Sequence, residues 1–453
     1  MVSAARAAAF DILLRVEQRQ AYADELLHSR RLDSLAPADR ALCTEIVMGA
    51  LRWQSRLDDD IAAHTRIARL DAEVLIALRM AAYQIAFLER IPALAAVNES
   101  VELVKRARKR SATALVNAVL RKLAGAAAGR RSLVVGPGET PVPQDAAALA
   151  REYAHPAWLV ERWAAHFGEE AARAICVHDQ QVPPRAIGVA AGVDVQALTA
   201  ELAGEQVTLA PGALLASSRV VTAGDITHTA AYRSGRIRVL DEASQLVAAL
   251  VGRGQRLLDC CAAPGGKTAA LADRHPGAQI VAADLHPHRA RLLRQLVRAP
   301  GVRVIAADAR ALPLACEFDR ILADVPCSGT GTLARNPEIK WRLAPADLAD
   351  LHARQVAIVH GALERLASGG RLVYSTCSLE PEECEAVVEE VLSARQDLRL
   401  LPAREEMERL RAAGELAWGD IDALLRGPCL RTLPGVHPGD GFFAAILEKR
   451  AAD

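Results

Sequence analysis

The spacing of apolar residues changes along the 453-residue chain, and each change marks a structural boundary. Across residues 1–124, Phe10, Leu13 and Leu14, and later Leu115, Val116, Val119, Leu120 and Leu123, recur at helical spacing with no alternating stretch between them. The segment therefore reads as all helix. Its most apolar run, 74–88, contains Arg79 and Gln84 and is shorter than the ~20 residues needed to span a bilayer, so it reads as a buried helix. From 125 to 144 the glycines and prolines stop both helix and strand and predict a linker. Short β-like runs at 186–190, 207–210 and 219–222 surround one helix at 195–203, a small α+β unit. Beyond this the pattern becomes short apolar runs, several closing on an acid: 256–259, 279–284, 302–308, 318–326, 371–378 and a last run at 442–448. Helical stretches separate them, one opening at Pro345 and running to about 367. Alternating strands and helices predict a parallel sheet with its site at the strands' carboxyl ends.

This division gives an N-terminal all-α bundle at 1–130, a linker at 131–147, a small α+β domain at 148–236 and an α/β domain at 237–453. The length suits about three domains, and 51% apolar residues suffice for large cores. The first twenty residues carry charges throughout and lack a signal-peptide core. Nine cysteines without a repeated C-x-x-C spacing argue against zinc and against a disulfide framework. A cytoplasmic monomer with reduced thiols, no metal and no membrane span is expected.

Net charge is zero, yet residues 1–131 hold 21 Lys and Arg against 15 Asp and Glu, leaving 34 against 40 in the remainder. The densest cluster is Lys105, Arg106, Arg108, Lys109 and Arg110. On one helix these cations would repel at i,i+4. A cluster that works against its own helix points to a polyanion such as RNA, with a solvated helix face as the plainer reading.

The stretch 257–271, L-L-D-C-C-A-A-P-G-G-K-T-A-A-L, is a strand, a glycine turn and a helix start, which together suit a nucleotide-like ligand. A P-loop would need glycine at Cys261, and a dinucleotide fingerprint G-x-G-x-x-G is absent. S-adenosylmethionine in a methyltransferase fold is the third reading. Asp259, Asp284, Asp308 and Asp324 all fall at strand ends, Asp284 roughly 20 residues past the turn, where a carboxylate meets ribose hydroxyls. Cys327 and Cys377 follow the fourth and fifth strands, while Cys43, Cys176, Cys260, Cys316 and Cys429 read as small core residues. A thiolate adding to C6 of cytosine turns C5 into an enamine-like carbon able to accept a methyl group. Loss of the C5 proton and elimination of the thiol then complete the cycle.

Two resemblances sharpen this reading. G-A-L-R-W at 49–53, R-I-P at 90–92, A-V-N-E-S-V-E-L at 96–103 and L-V-N-A-V-L-R at 115–121 resemble the NusB-type RNA-binding domain, which implies a helical bundle that helps grip RNA. C-A-A-P-G-G-K-T at 261–268, D-V-P-C-S-G-T-G at 324–331, N-P-E-I-K-W at 336–341, S-T-C-S at 375–378 and D-G-F-F at 440–443 resemble the RNA cytosine-C5 methyltransferases. Together they make the whole chain similar to the bacterial enzymes that methylate a cytidine of 16S rRNA, free or in a small-subunit assembly intermediate. The resemblance implies a Rossmann-like class I S-adenosylmethionine-dependent fold. It implies that Cys261, Ala262, Ala263, Pro264, Gly265, Gly266 and Lys267 hold the methionine end of the cofactor. Asp284 would bind ribose, Asp308 reach the adenine, and Asp324 lie between cofactor and cytosine. Cys377 would be the nucleophile and Cys327 would assist product release. A tRNA cytosine-C5 methyltransferase, or a non-catalytic RNA-binding assembly or antitermination factor, are the alternatives. The chain departs from the family pattern at Cys384, where the family has asparagine, at Leu240 in place of glutamine, and at Gly188 and Ala190 in the small domain.

Overall fold

A computed structural model describes residues 2–29, 32–128 and 145–451. Most of the linker expected at 131–147 lies outside the described residues. The chain divides into two compact units, one of residues 1–182 with 333–342, the other of 183–332 with 343–453. The expected small domain at 148–236 is thereby split: its helices Ala146–Glu152, Ala157–Phe167 and Glu169–Asp179 cluster with the first unit, its strands with the second.

The first unit is helical. Ala4–Arg19, Pro37–Arg52, Gln54–Ala62, Ala72–Phe87, Ala93–Arg106 and Thr113–Ala128 surround a core that includes Phe10, Leu13, Ile46, Leu78, Met80, Leu103 and Leu120. Ala72–Phe87 is the run with membrane-like composition, and it is a buried helix, as its length required. Both of its interior polar groups are satisfied: the Arg79 guanidinium forks onto Asp58 at 2.7 Å, and Gln84 Oε1 accepts from Arg6 Nε at 2.6 Å. A buried polar group without such partners would cost several kcal/mol, on the order of 2–7.

The segment 333–342, which carries the whole of N-P-E-I-K-W, belongs to this unit. Trp341 Nε1 donates to Leu51 O at 2.6 Å. Arg342 donates to the carbonyls of Val16, Gln20 and Ala21 at the end of the first helix. A cation there satisfies carbonyls that a helix C-terminus leaves without partners. Arg52 and Ala23 bind Ala334 O and Glu338 in return.

The second unit holds two sheets. The smaller is antiparallel, of β1 (Arg185–Val189), β2 (Thr208–Pro211), β3 (Ser218–Ala223) and β4 (Ile237–Val239) in the order β2-β3-β1-β4. The larger has nine strands: β5 (Arg256–Asp259), β6 (Gln279–Asp284), β7 (Val302–Ala306), β8 (Phe318–Asp324), β9 (Leu366–Thr376), β10 (Leu398–Leu401), β11 (Leu425–Arg426), β12 (Cys429–Arg431) and β13 (Phe443–Lys449). Strands β9-β8-β5-β6-β7 are parallel, and the order reverses between β5 and β8. That reversal opens a crevice at the carboxyl ends of β5 and β8. The antiparallel additions β10, β11 and β12, which the apolar pattern did not reveal, extend the sheet beyond β13. Strand β7 stops at Ala306, so Asp308 is not a strand residue but caps the short turn Ala309–Ala311.

Candidate active site

Register brings the two candidate thiols together. Asp324 at the end of β8 pairs with Ser375 near the end of β9. Cys327 lies three residues past the first and Cys377 two past the second, and their sulfurs stand 3.3 Å apart. Contact with Cys327, reinforced by burial, pushes the Cys377 thiol well up from its ordinary value. Lys267 acts in the opposite sense. Of the five thiols read as small core residues, Cys43, Cys176, Cys260 and Cys429 are buried, and burial raises each of them, whereas Cys316 is exposed and is not a core residue.

The P-G-G-K-T turn supplies the cation. Gly265 takes φ +116°, and a Cβ there would lie 2.6 Å from Val297 Cγ2, so only glycine fits. The chain then enters the helix Gly266–Arg274 and brings Lys267 Nζ within 2.9 Å of Asp324 Oδ2. Ser375 Oγ donates to the other Asp324 oxygen at 2.8 Å, and the ammonium lies 4.7 Å from the centre of the Phe442 ring. Burial pulls Lys267 down, but the Asp324 carboxylate more than offsets this, and its pKa stands above the ordinary lysine value. Asp259 is fully buried. Burial is the main cause that pushes it up to about 7, opposed by the 2.7 Å hydrogen bond from Thr268. Its Oδ1 has no hydrogen-bond partner among the described residues.

Cys261 to Lys267, Asp259 and Asp324 line a cavity of about 1110 Å³, together with residues around β4, including Tyr232, Arg233, Arg238 and Leu240, and residues 295–300. The volume slightly exceeds the ~300–1,000 Å³ common for small-molecule sites. Leu240, the residue that replaces the family's glutamine, packs so near Gly266 that a Cβ there would lie 2.9 Å from its Cδ1. Asp284 and Asp308 do not line this cavity. Asp284 ends β6 and accepts from His286 N at 2.9 Å, while Asp308 is forked by the Arg310 guanidinium, which holds its carboxyl below the ordinary range.

The D-G-F-F turn packs behind the thiols. Gly331 N donates to Cys377 O, and Gly441 N to Gly331 O, each at 2.8 Å. Ser328, Ser375, Ser378, Glu383 and Phe442 all support the site and were not among the expected residues. The serines beside each cysteine were the available signal. Cys384, the departure from asparagine, is a buried thiol that donates to Ser378 O at 3.4 Å.

The basic cluster is not one helical face. Its helix ends at Arg106, Arg108 turns with φ +62°, and Arg110 opens a separate 3-10 turn, so the expected i,i+4 repulsion is avoided. Lys105 pairs with Glu102 at 2.6 Å, Arg106 with Asp11 at 3.5 Å and Lys109 with Asp71 at 3.0 Å. Arg108 and Arg110 form no ion pair among the described residues.

A parallel sheet with this strand order, a glycine turn into a helix and a cavity at the reversal define a class I methyltransferase joined to a NusB-type helical domain. The family model of 16S rRNA methyltransferase RsmB/F matches residues 249–448 and that of the NusB family residues 3–125. The chain belongs to the RsmB/F family of S-adenosylmethionine-dependent methyltransferases. It is 32% identical to a probable ribosomal RNA small subunit methyltransferase B of Bacillus subtilis, over 98% of both chains. It is 34% identical to the ribosomal RNA small subunit methyltransferase B of Pseudomonas syringae pv. tomato, over 93% of this chain and 92% of that one. The crystal structure of PH0851 shares the fold with a TM-score of 0.77 at 22% identity, over 98% and 97% of the two chains.

Proposed function

We propose that the chain transfers a methyl group from S-adenosylmethionine to C5 of a cytidine in 16S rRNA, through a covalent bond between Cys377 and C6. The observation that carries this is the pair of thiols 3.3 Å apart, beside the Lys267–Asp324 ion pair and a cavity that Asp259 and Asp324 help to line. The donor set fits a cationic cofactor: Asp259 offers a buried acceptor that a bound ammonium could satisfy, and Asp324 a carboxylate. Cys261 to Lys267 would hold its methionine end, with Asp284 and Asp308 toward the nucleoside. The cofactor supplies an electrophilic methyl group. Cys377, as thiolate, forms the S–C6 bond, and the ring gains negative charge that the Lys267 ammonium is placed to offset. C5 then takes the methyl group, a base removes the C5 proton, and the S–C6 bond breaks with Cys327 assisting. Cytosine must leave its stack for C6 to be reached, so an exposed or splayed nucleotide is the substrate. The helical unit, through Arg108 and Arg110, would contribute RNA affinity.

The test separates the thiols. Cys377→Ala should bind cofactor yet form no adduct and no product. Cys327→Ala should accumulate protein covalently joined to 16S rRNA on denaturing gels. A stable adduct from Cys377→Ala, with none from Cys327→Ala, would reverse the roles. Labelled methyl appearing in tRNA and not in 16S rRNA would overturn the substrate.

A further inference from the structure

Beneath the two thiols lies a fully buried carboxylate that the chemistry above does not use. Glu383 ends the short turn Pro381–Glu383. Its Oε1 accepts from Ser328 N and from Gln355 Nε2, each at 2.8 Å. Its Oε2 accepts from the Ser328 hydroxyl and, at 2.5 Å, from the Ser378 hydroxyl. Ser328 and Ser378 directly follow Cys327 and Cys377 in the chain. Gln355 reaches the other side of Cys327 as well, donating to Pro326 O at 3.0 Å, and Tyr374 Oη fixes the Glu383 carbonyl at 2.6 Å.

A buried carboxylate is tolerated only when donors replace its lost water. Here the donors come from both cysteine loops at once. If either loop moves, the carboxylate loses partners while the other loop stays bound, so the network resists any change in the spacing of the loops. We propose that Glu383 is a positioning residue for both thiols, a single clamp that sets the Cys327–Cys377 distance and the approach of Cys377 to C6. The link to C6 rests on the function proposed above. The clamp itself is measurable without RNA.

The measurement uses the full chain and diamide. Two thiols close to a disulfide as the N=N bond of diamide takes up their two protons and two electrons and becomes a hydrazine. Peptide mapping follows the Cys327–Cys377 bridge alone. Glu383→Ala and Glu383→Asp, the latter one methylene too short to reach both loops, should slow bridging on the order of tenfold. Each should lower kcat by about 100-fold, the cost of roughly 1 Å of misplacement, with KM for RNA and cofactor within about threefold. Glu383→Gln is the conservative rescue. Its amide nitrogen can take the place of Oε2 because both serine hydroxyls can accept as well as donate. It should therefore bridge and turn over within about threefold of wild type. Should Glu383→Ala not fold, Ser378→Ala removes one of the four bonds and should still slow bridging measurably. Wild-type bridging in Glu383→Ala or Ser378→Ala, or a glutamine variant as impaired as alanine, would overturn the clamp. Bridging that depends on Glu383 in a protein that leaves cytidine unmodified would keep the clamp and remove the functional reading. Methylation with Glu383-independent bridging would do the reverse.

Discussion

Gly331 offers a way to displace the thiols without touching either of them. It lies where the loop after β8, the end of β9 and the D-G-F-F turn cross. A Cβ there would come within 2.3 Å of Gly441 O and 2.8 Å of Cys377 O, and both obstacles are backbone. Its φ is not in the left-handed region, so alanine suits the backbone and only space opposes it. Relief to ordinary contact near 3.4 Å needs a shift of about 1 Å at Gly441 and about half that at Cys377. Overpacking of this size costs about 1–3 kcal/mol, and misplacement of a reacting group by roughly 1 Å costs about 100-fold in rate. Gly331→Ala should therefore fold with a Tm several degrees lower, bind S-adenosylmethionine normally, and transfer labelled methyl to 16S rRNA some 10- to 100-fold more slowly in single turnover. Gly419→Ala, where no atom lies within 4 Å of the new Cβ, is the control and should match wild type. A Gly331→Ala enzyme with unchanged single-turnover rate would refute the argument that these loops set the reacting geometry.

Two further outcomes follow from the electrostatics. Contact with Cys327 is the largest cause of the raised Cys377 thiol, so Cys327→Ala should lower that pKa and let adduct formation rise at lower pH than in wild type. An unmoved pH profile would contradict this. On the helical unit, Arg108→Glu with Arg110→Glu should weaken 16S rRNA binding and flatten its salt dependence, by ~0.7–0.9 in slope for each phosphate no longer neutralised. Reversing the ion-paired Lys105 and Lys109 should do less. Equal effects would show that local pairing does not decide which cations serve RNA.

Some of the molecule was legible in the order of residues because the signals are local. Helical spacing marked the first unit, Gly/Pro breaks marked boundaries, and apolar runs closing on Asp259, Asp284 and Asp324 marked strands whose ends are a rim. The turn at 264–268 was readable for the same reason, since strand, glycines and lysine are contiguous.

The rest depended on pairing across long stretches of chain. The sulfurs of Cys327 and Cys377 meet because β8 and β9 pair in one register, and a slip of one residue would turn the strands' side chains to opposite faces. The basic cluster looked like one helical face because composition says nothing about a turn at Arg108 or about acids far away in sequence, Asp71 for Lys109 and Asp11 for Arg106. N-P-E-I-K-W sits between two halves of the methyltransferase sequence, yet its carbonyl-binding Arg342 neighbour and Trp341 pack into the helical unit, a partnership of groups some 290 residues or more apart. Glu383 reads as one acid among three in E-P-E-E. Only the fold surrounds it with donors from Ser328, Gln355 and Ser378, because hydrogen-bond satisfaction of a buried charge is a property of the assembled neighbourhood and not of the chain order.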